Sequence, residues 1–309
     1  PPWRGAAGAA AGLVAIAFRQ TNAVWFLFTF GTAALGDLEA SDHWGEKLAV
    51  GRGGTADARS LGVLLTTLVR GLLAERWGLL RRRGSLLLPV AAFAAFVVWN
   101  GSVVVGDHAH HAAAVHWAQL AYLVAVTASL WGVVGADAAV SPRSVRAFAA
   151  DCFGSCMAAS VSIAATGGVA LLLWRYSLAH PFLLADNRHY AFYVWRRLLG
   201  GVPGLKEALA PAYVYCAWLC RHRLVREQSE LWVLIWLTAA VLTLVPAPLL
   251  EPRYFTTAVV MAHAHAPERT WSSLLAGAAA CALVNAATLA VFVGRPFAWP
   301  DGSVARFMW

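Results

Sequence analysis

The chain is a succession of apolar stretches, most of them about twenty residues long, separated by short polar segments. A stretch of that length, wound into a helix, spans the hydrocarbon core of a bilayer. Of all residues, 60% are hydrophobic and only 13% are charged, whereas a soluble domain is about 25% charged. We therefore predict an all-α, polytopic membrane protein that forms a single transmembrane domain over residues 1–309. The predicted spans are residues 85–105, 117–136, 149–174, 205–220, 231–250 and 270–293.

Arginine gives these spans an orientation. The net charge is +8, nearly all of it Arg, and basic residues of membrane proteins collect in cytoplasmic loops. Residues 37–84 are predicted to be such a loop, with an amphipathic helix over 61–80 and three arginines at 81–83. No nucleic-acid-binding motif accompanies the positive charge, so we expect no nucleic-acid partner.

Alternation of the spans then places three polar segments on the opposite side of the membrane: residues 106–116, 175–197 and 251–254. The loop over 175–197 is itself basic, which the orientation rule does not explain. Basic residues on that side indicate that the loop binds an anionic ligand. They are Arg175, Arg188, Arg196 and Arg197.

Residues 5–36 are apolar except for Arg19, Gln20, Thr21 and Asn22 at their centre. Either one long helix carries four polar residues at mid-membrane, or two shorter arms meet at a polar turn, which is the interpretation we favour. Irregular backbone within a membrane is tolerated only where it lines a cavity or protein. In both arrangements Arg19 faces a partner or an aqueous pocket, unless it extends to the membrane surface.

The segment HPFLLADNRHYAFYVWRR at 180–197 is the sharpest interruption of the apolar pattern. Asp186, Asn187, Arg188 and His189 follow one another there, among aromatic residues. Charged groups beside a membrane span are costly to place, so this run is predicted to be a functional site.

Carboxylates, arginines and histidines are thus predicted to share one side of the membrane. A carboxylate can take the proton of a substrate hydroxyl, and Arg binds phosphate oxygens in pairs. Such a set suits glycosyl transfer from a lipid phosphate, and a structural ion network is the alternative. The residues concerned are Asp107, His108, Asp186, Arg188, His189, Glu251 and Arg253.

Four histidines within nine residues raise the question of a metal site. Their spacing gives at most two on one helix face, and no carboxylate or Cys completes a ligand set. Histidines at the membrane interface, of which one or two are functional, are the favoured interpretation. We predict neither a metal nor a cofactor. The four are His108, His110, His111 and His116.

Five collinear segments resemble one known family. The run at 180–197 is similar to the signature loop of the dolichyl-phosphate-glucose-dependent α-1,2-glucosyltransferases, which add the terminal glucose to the lipid-linked oligosaccharide of asparagine-linked glycosylation. The others agree in the same order: FRQTN at 18–22, GDHAHHAAAVHWAQLAY at 106–122, EPRYF at 251–255 and RFMW at 306–309.

The resemblance implies an inverting glucosyltransferase of the endoplasmic reticulum membrane, a multi-pass helical bundle of the GT-C type with luminal loops. Its partners would be dolichyl phosphate glucose, the diglucosylated oligosaccharide on dolichyl diphosphate, and membrane lipid. Asp186 and His189 are then the predicted catalytic residues. The predicted donor- and acceptor-binding residues are Arg19, Gln20, Asn22, Asp107, Asn187, Arg188, Tyr190, Glu251, Arg253 and Tyr254.

The first residue is Pro1 rather than Met, and the family is expected to begin with further spans and an acidic first luminal loop that usually supplies the base. On that expectation the principal base precedes this chain, and activity of the isolated chain is not predicted. Two alternatives come from other functional classes: a transporter or channel with polar residues along a path, and a non-catalytic membrane modulator.

Overall fold

The structure of the protein is a computed structural model, and it describes residues 2–52, 61–103, 114–131, 141–179, 188–267 and 270–307. These residues are helical almost throughout and include three helices that are long and apolar enough to cross a membrane. The predicted all-α membrane architecture is therefore confirmed. The helices form two compact units. The first is Pro1–Ala113 with His222–Pro246 and Ala264–Pro267, and the second is Ala114–Arg221 with Ala247–His263 and Glu268–Trp309.

We number the elements in chain order. The first helices are α1 (Pro2–Phe18), α2 (Asn22–Glu39), α3 (Gly45–Leu48), α4 (Leu61–Ala74), α5 (Arg76–Arg83), a 3-10 turn (Gly84–Leu87) and α6 (Leu88–Asn100). They are followed by α7 (Ala118–Trp131), α8 (Pro142–Phe153), α9 (Cys156–Tyr176), α10 (Tyr190–Tyr193), a π-helix (Val194–Leu199) and α11 (Leu205–Ala208). The last elements are α12 (Ala210–Leu224), α13 (Glu230–Leu244), α14 (Pro252–Ala264), α15 (Trp271–Gly294), β1 (Phe297–Ala298) and β2 (Val304–Ala305), the two strands pairing antiparallel.

In the first unit, α1 and α2 form a helical hairpin whose turn is made by residues 19–21. The Arg19 amide and the Asn22 side chain both donate to the Ala15 carbonyl, at 3.1 and 2.7 Å. The Asn22 bond helps to satisfy the carbonyls that the end of a helix leaves without partners. The structure therefore has two arms over residues 5–36.

The end of α2 remote from this turn carries a charged cluster. Arg83 donates to both carboxylate oxygens of Asp37, at 2.7 and 3.1 Å, and Arg82 Nε donates to the same carboxylate at 3.1 Å. These hydrogen bonds lower the pKa of Asp37, the bond from Arg83 contributing most. The cluster ties the arginine run at 81–83 to the last turn of α2.

The core of the first unit lies where α13 packs along α2. Phe28 meets Trp232 edge to face, with ring centroids 5.5 Å apart, and Trp25 meets Phe28 in the same way at 5.6 Å. Leu35 and Leu38 are fully buried about two and three turns beyond Phe28 along α2. These apolar side chains recur at helical spacing, which directs one face of α2 at α13.

In the second unit, α7 is the most buried helix, with no exposed surface at Ala118, Leu123 or Thr127. Its first turns contact the end of α9 and the start of α12, and its last residue, Trp131, stacks on His263 of α14 at 4.8 Å. The segment just before α14 contacts the start of α7. Helices α7 and α14 therefore run side by side in the same direction.

Several predicted spans differ from the helices in their bounds. The span predicted at 85–105 belongs to a continuous helical run, Arg76–Asn100, that begins before the arginines at 81–83. The span predicted at 149–174 begins only at Cys156, because Ser155 caps that helix by accepting a hydrogen bond from the Ala158 amide. An average of hydropathy over neighbouring residues does not register such a cap, whereas the helix begins there.

The other bounds also shift. The predicted 61–80 helix ends at Ala74, and the predicted 205–220 span is divided into α11 and α12. The remaining spans predicted at 117–136, 231–250 and 270–293 correspond to α7, α13 and α15, although residues 132–140 lie outside the described part of the chain.

Candidate active site

Two fully buried polar residues, His116 just before α7 and Gln119 in its first turn, join three separate segments of the second unit. The Gln119 Nε2 group donates to the carbonyls of Leu249, at 2.7 Å, and Ala247, at 3.4 Å. It also lies 3.2 Å from His116 Nδ1. The Leu178 amide donates to His116 Nε2 at 3.3 Å. We call this arrangement the His116–Gln119 junction.

The junction connects residues at the ends of the three polar segments that the sequence predicted to share one side of the membrane. His116 ends the segment 106–116, Leu178 precedes the run at 180–197, and Leu249 lies two residues before Glu251. Because a buried polar group without a partner is costly, these bonds fix the ends of the three segments relative to one another.

The imidazole of His116 favours its neutral form. Burial lowers the pKa of His116, and the neighbouring carbonyls of Ala247 and Pro248 only partly oppose this effect. The Leu178 bond requires a lone pair on Nε2, which a protonated ring does not have. A buried neutral imidazole is therefore better suited to hold the junction together than to donate a proton in catalysis.

A second polar contact of the same end supports the junction. The Tyr122 hydroxyl and the Ser177 hydroxyl lie 2.7 Å apart, and the Tyr122 ring packs edge to face on His116 at 6.3 Å. The ring of Tyr213 packs on Tyr122 from α12 at 6.0 Å. The segment that follows α9 is thus attached both to α7, through Tyr122, and to His116 just before α7.

Glu251, Arg253 and Tyr254 form a local charged group at the start of α14. Arg253 Nε donates to the Glu251 carboxylate, and its guanidinium lies 5.9 Å from the Tyr254 ring. The Arg253 side chain is 75% exposed and that of Glu251 is 27% exposed. An ion pair so open to water contributes little, so an anionic ligand can compete for Arg253.

Arg188 and His189 begin the part of the basic loop that the structure describes. The Arg188 guanidinium lies 5.9 Å from the ring of Trp299, in the segment between β1 and β2. Tyr193 contacts Phe307 at 5.9 Å. The carboxyl-terminal segment is therefore packed against the loop that carries the predicted site.

The predicted residues have different outcomes. Asp107, Asp186 and Asn187 lie outside the described residues. Tyr190 begins α10, and Arg19, Gln20 and Asn22 belong to the first unit, where the Asn22 amide caps α1. The junction brings the ends of the polar segments together. The roles of the individual site residues stay predictions.

Among the described residues, no group of three His, Cys, Asp or Glu side chains is placed to hold a metal ion. His108, His110 and His111 lie outside that part of the chain. His116, the fourth histidine of the run, is engaged in the junction.

Sequence reasoning missed Gln119 entirely and noted His116 only as one of four histidines. A signal was available, since both stand beside an apolar stretch three residues apart, on one face of a helical turn. Their partners could not be predicted because they are backbone groups some 60 to 130 residues away.

Comparison with known proteins places these features in a family context. The model of the DIE2/ALG10 family matches residues 4–264. A Mus musculus protein named Dol-P-Glc:Glc(2)Man(9)GlcNAc(2)-PP-Dol alpha-1,2-glucosyltransferase is 32% identical over 305 residues, which cover 96% of this chain and 62% of the relative. Proteins of the same name from Rattus norvegicus and Arabidopsis thaliana are each 31% identical, over 96% and 76% of this chain and 62% and 46% of their own lengths. The chain thus spans less than two thirds of these relatives, and no solved structure matches it.

Proposed function

The chain belongs to the DIE2/ALG10 family, and on that premise we propose that the protein transfers the terminal α-1,2-linked glucose from dolichyl phosphate glucose to the diglucosylated oligosaccharide on dolichyl diphosphate. The observation that carries the proposal is the extent of the family match. It covers all three segments that the His116–Gln119 junction joins, and the relatives are named for this transfer. Their names favour a transferase over the transporter and modulator alternatives.

The protein is proposed to be a multi-pass enzyme of the endoplasmic reticulum membrane, with the junction end of the second unit towards the lumen. By the orientation rule, the arginine run at 81–83 is proposed to be cytoplasmic. This orientation gives the glycan acceptor access to the loop at 180–197 from water, while lipid carriers approach from the bilayer.

The proposed reaction inverts the configuration of the transferred glucose. A carboxylate takes the proton from the acceptor hydroxyl, the hydroxyl oxygen forms a bond to the anomeric carbon, and the bond from that carbon to the phosphate oxygen breaks. Dolichyl phosphate leaves with the electron pair. Asp186 is the proposed acceptor-orienting residue or base within this chain, with His189 assisting.

Arg188 and Arg253 are proposed to bind the phosphate of the donor. Guanidinium groups match phosphate oxygens in pairs and are worth most where charge develops on the leaving group. The Arg188 guanidinium lies along Trp299, and the ion pair of Arg253 with Glu251 is open to water on the Arg253 side, which favours exchange of that pair for a phosphate. Asp107, Asn187, Tyr190, Glu251 and Tyr254 are proposed to contact the donor or the acceptor.

Complementation tests the transfer. The segment of the mouse relative that matches this chain is replaced by the chain itself, and the chimaera is expressed in cells that lack the terminal glucosyltransferase. The mass of the lipid-linked glycan is then measured. The chimaera should restore one hexose, as should the mouse protein itself. A chimaera that reaches the membrane in equal amount but restores no hexose would overturn the proposal.

The same cells test Asp186. An Asp186→Asn chimaera should lose transfer by about tenfold or more if Asp186 orients the acceptor, and by about two orders of magnitude or more if Asp186 is itself the base. Asp42→Asn, which removes an exposed carboxylate of the first unit, is the matched control and should transfer normally. Full activity of Asp186→Asn would exclude Asp186 as the base.

A further inference from the structure

Arg196 and Arg197 are adjacent cations on the short π-helix Val194–Leu199. The Arg196 guanidinium lies 5.5 Å from the ring of Phe192, and the Arg197 guanidinium lies 5.4 Å from the ring of Tyr193. Each aromatic ring attracts the cation above it, so both long side chains are held over the preceding turn. The two guanidinium groups are thereby preorganised on neighbouring positions.

This π-helix has one buried and one exposed face. Trp195 and Leu199 are buried, at 5% and 8% exposure, and Phe192 is buried beside them. The exposed side chains of the same segment are both arginines and two apolar residues, Val194 at 44% and Leu198 at 51% exposure. Exposed apolar and cationic groups on one short segment are typical of the boundary between hydrocarbon and water.

No carboxylate in the described part of the chain pairs with either arginine. They differ in this from Arg82 and Arg83, which bind Asp37, and from Arg253, which binds Glu251. The aromatic contacts of Arg196 and Arg197 leave their N–H groups available, because a ring face does not satisfy all five donors of a guanidinium.

We propose that Arg196 and Arg197 bind the diphosphate of the acceptor lipid, a site distinct from that of the donor phosphate. The inference rests on the proposed function. A diphosphate offers more oxygens and more charge than a monophosphate, and two adjacent guanidinium groups match it in number and sign. Val194 and Leu198 then contact the first carbons of the isoprenoid chain that carries the diphosphate.

The backbone after the π-helix turns tightly. The Gly200 amide donates to the Trp195 carbonyl at 2.7 Å, which closes the π-helical turn. A Cβ on Gly201 would lie only 2.3 Å from the Arg196 carbonyl oxygen, so this position requires glycine. Because π-helical turns cost stability and are frequent at functional sites, the geometry of this segment also favours a ligand.

The test compares the chimaera with its Arg196→Gln/Arg197→Gln variant. The Michaelis constants are measured for dolichyl phosphate glucose and for two acceptors: the diglucosylated oligosaccharide on dolichyl diphosphate, and the same glycan without its lipid diphosphate. The variant should raise the KM of the lipid acceptor by about tenfold or more, the effect expected from losing charge-assisted hydrogen bonds. The KM of the donor, and the use of the free glycan, should stay within about twofold of wild type.

Two further variants separate the site from general effects. Arg196→Lys/Arg197→Lys keeps the charge and should recover part of the affinity, while Arg143→Gln/Arg146→Gln removes two exposed arginines of α8 and should change nothing. An unchanged KM for the lipid acceptor would overturn the assignment. So would an equal rise of KM for both acceptors, or a return of the variant's KM to the wild-type value when phosphatidylserine is added.

A binding measurement keeps the inference testable if no transfer occurs. Dolichyl diphosphate without glycan is titrated onto the detergent-solubilised chimaera, with dolichyl phosphate as the comparison. Weaker diphosphate binding by the Gln variant, by about tenfold, with unchanged monophosphate binding supports the site even if the proposed transfer fails. Equal binding by the variant and the parent chimaera overturns it.

Discussion

Gln119 Nε2 donates to the carbonyl oxygen of Leu249 at 2.7 Å, across 130 residues of sequence. The Gln119 side chain is fully buried, and its bond fixes the backbone two residues before the Glu251–Arg253 pair. A side chain that has no part in the proposed chemistry thus helps to set the distance between the start of α7 and the start of α14.

Gln119→Leu should therefore lower both stability and transfer. Losing the donor removes the short bond to the partly buried Leu249 carbonyl and the longer one to Ala247, which costs about 1–3 kcal/mol. A shift of the loop before Glu251 should reduce kcat/KM by about tenfold or more, because small misplacements are costly at active sites. Thermal unfolding and transfer kinetics measure the two effects. Gln228→Leu, which removes an amide bond to the His265 carbonyl in the first unit, should affect stability alone.

His116 should make the protein less stable in mild acid. Burial lowers the pKa of His116, so between the folded and unfolded pKa values only the unfolded state binds the proton. The neutral ring makes its full contribution to the free energy of unfolding above about pH 6.5. Below that pH the contribution falls by up to about 1.4 kcal/mol per pH unit. His116→Gln should lose less stability than wild type between pH 7 and pH 5 in chemical denaturation. Identical pH profiles of the two proteins would contradict the buried neutral ring.

Asp37→Asn should destabilise the first unit by about 1–2 kcal/mol, since it removes the charge that three hydrogen bonds from Arg82 and Arg83 stabilise. The pKa of Asp37 is lowered, so this contribution is present above about pH 4 and is lost only as the pH falls further. Urea unfolding of the variant at pH 7 measures the loss. Asp42→Asn is the control at an exposed carboxylate, and equal unfolding midpoints for the two variants would show that the cluster contributes nothing.

Arg188→Ala should weaken binding of the donor by about tenfold or more, because a charge-assisted contact to phosphate is lost. Arg188→Lys should be intermediate, since it keeps the charge but not the paired geometry. The donor KM of the chimaera is the measurement. A variant with wild-type donor affinity would exclude Arg188 from the phosphate site.

Gly201→Ala should displace the segment that carries Arg196 and Arg197. The added Cβ meets two backbone carbonyl oxygens at 2.3 and 2.9 Å, and backbone cannot move aside as a side chain can. The acceptor KM should rise by severalfold, and the unfolding free energy should fall by about 1–3 kcal/mol. Gly167→Ala, within α9 and with open space at its Cβ, should be neutral or slightly stabilising.

The sequence by itself determined that this is a helical membrane protein, because apolar runs of that length have few other stable folds. It also indicated the polar turn at 19–21 and the polar segments at 106–116, 180–197 and 251–254, since charge is rare in an apolar chain. Alternation of the spans alone predicted that the last three of these segments lie on the same side of the membrane.

Only the tertiary structure decided how those segments are held. The bonds from Gln119 to Leu249 and from Leu178 to His116 join residues far apart in sequence, and a backbone carbonyl or amide leaves no trace in composition or periodicity. The caps that divide the apolar stretches, such as Ser155 before α9, also became visible only in three dimensions. A hydropathy pattern records how much each residue avoids water, whereas pairing of buried polar groups depends on which of them meet once the helices have packed.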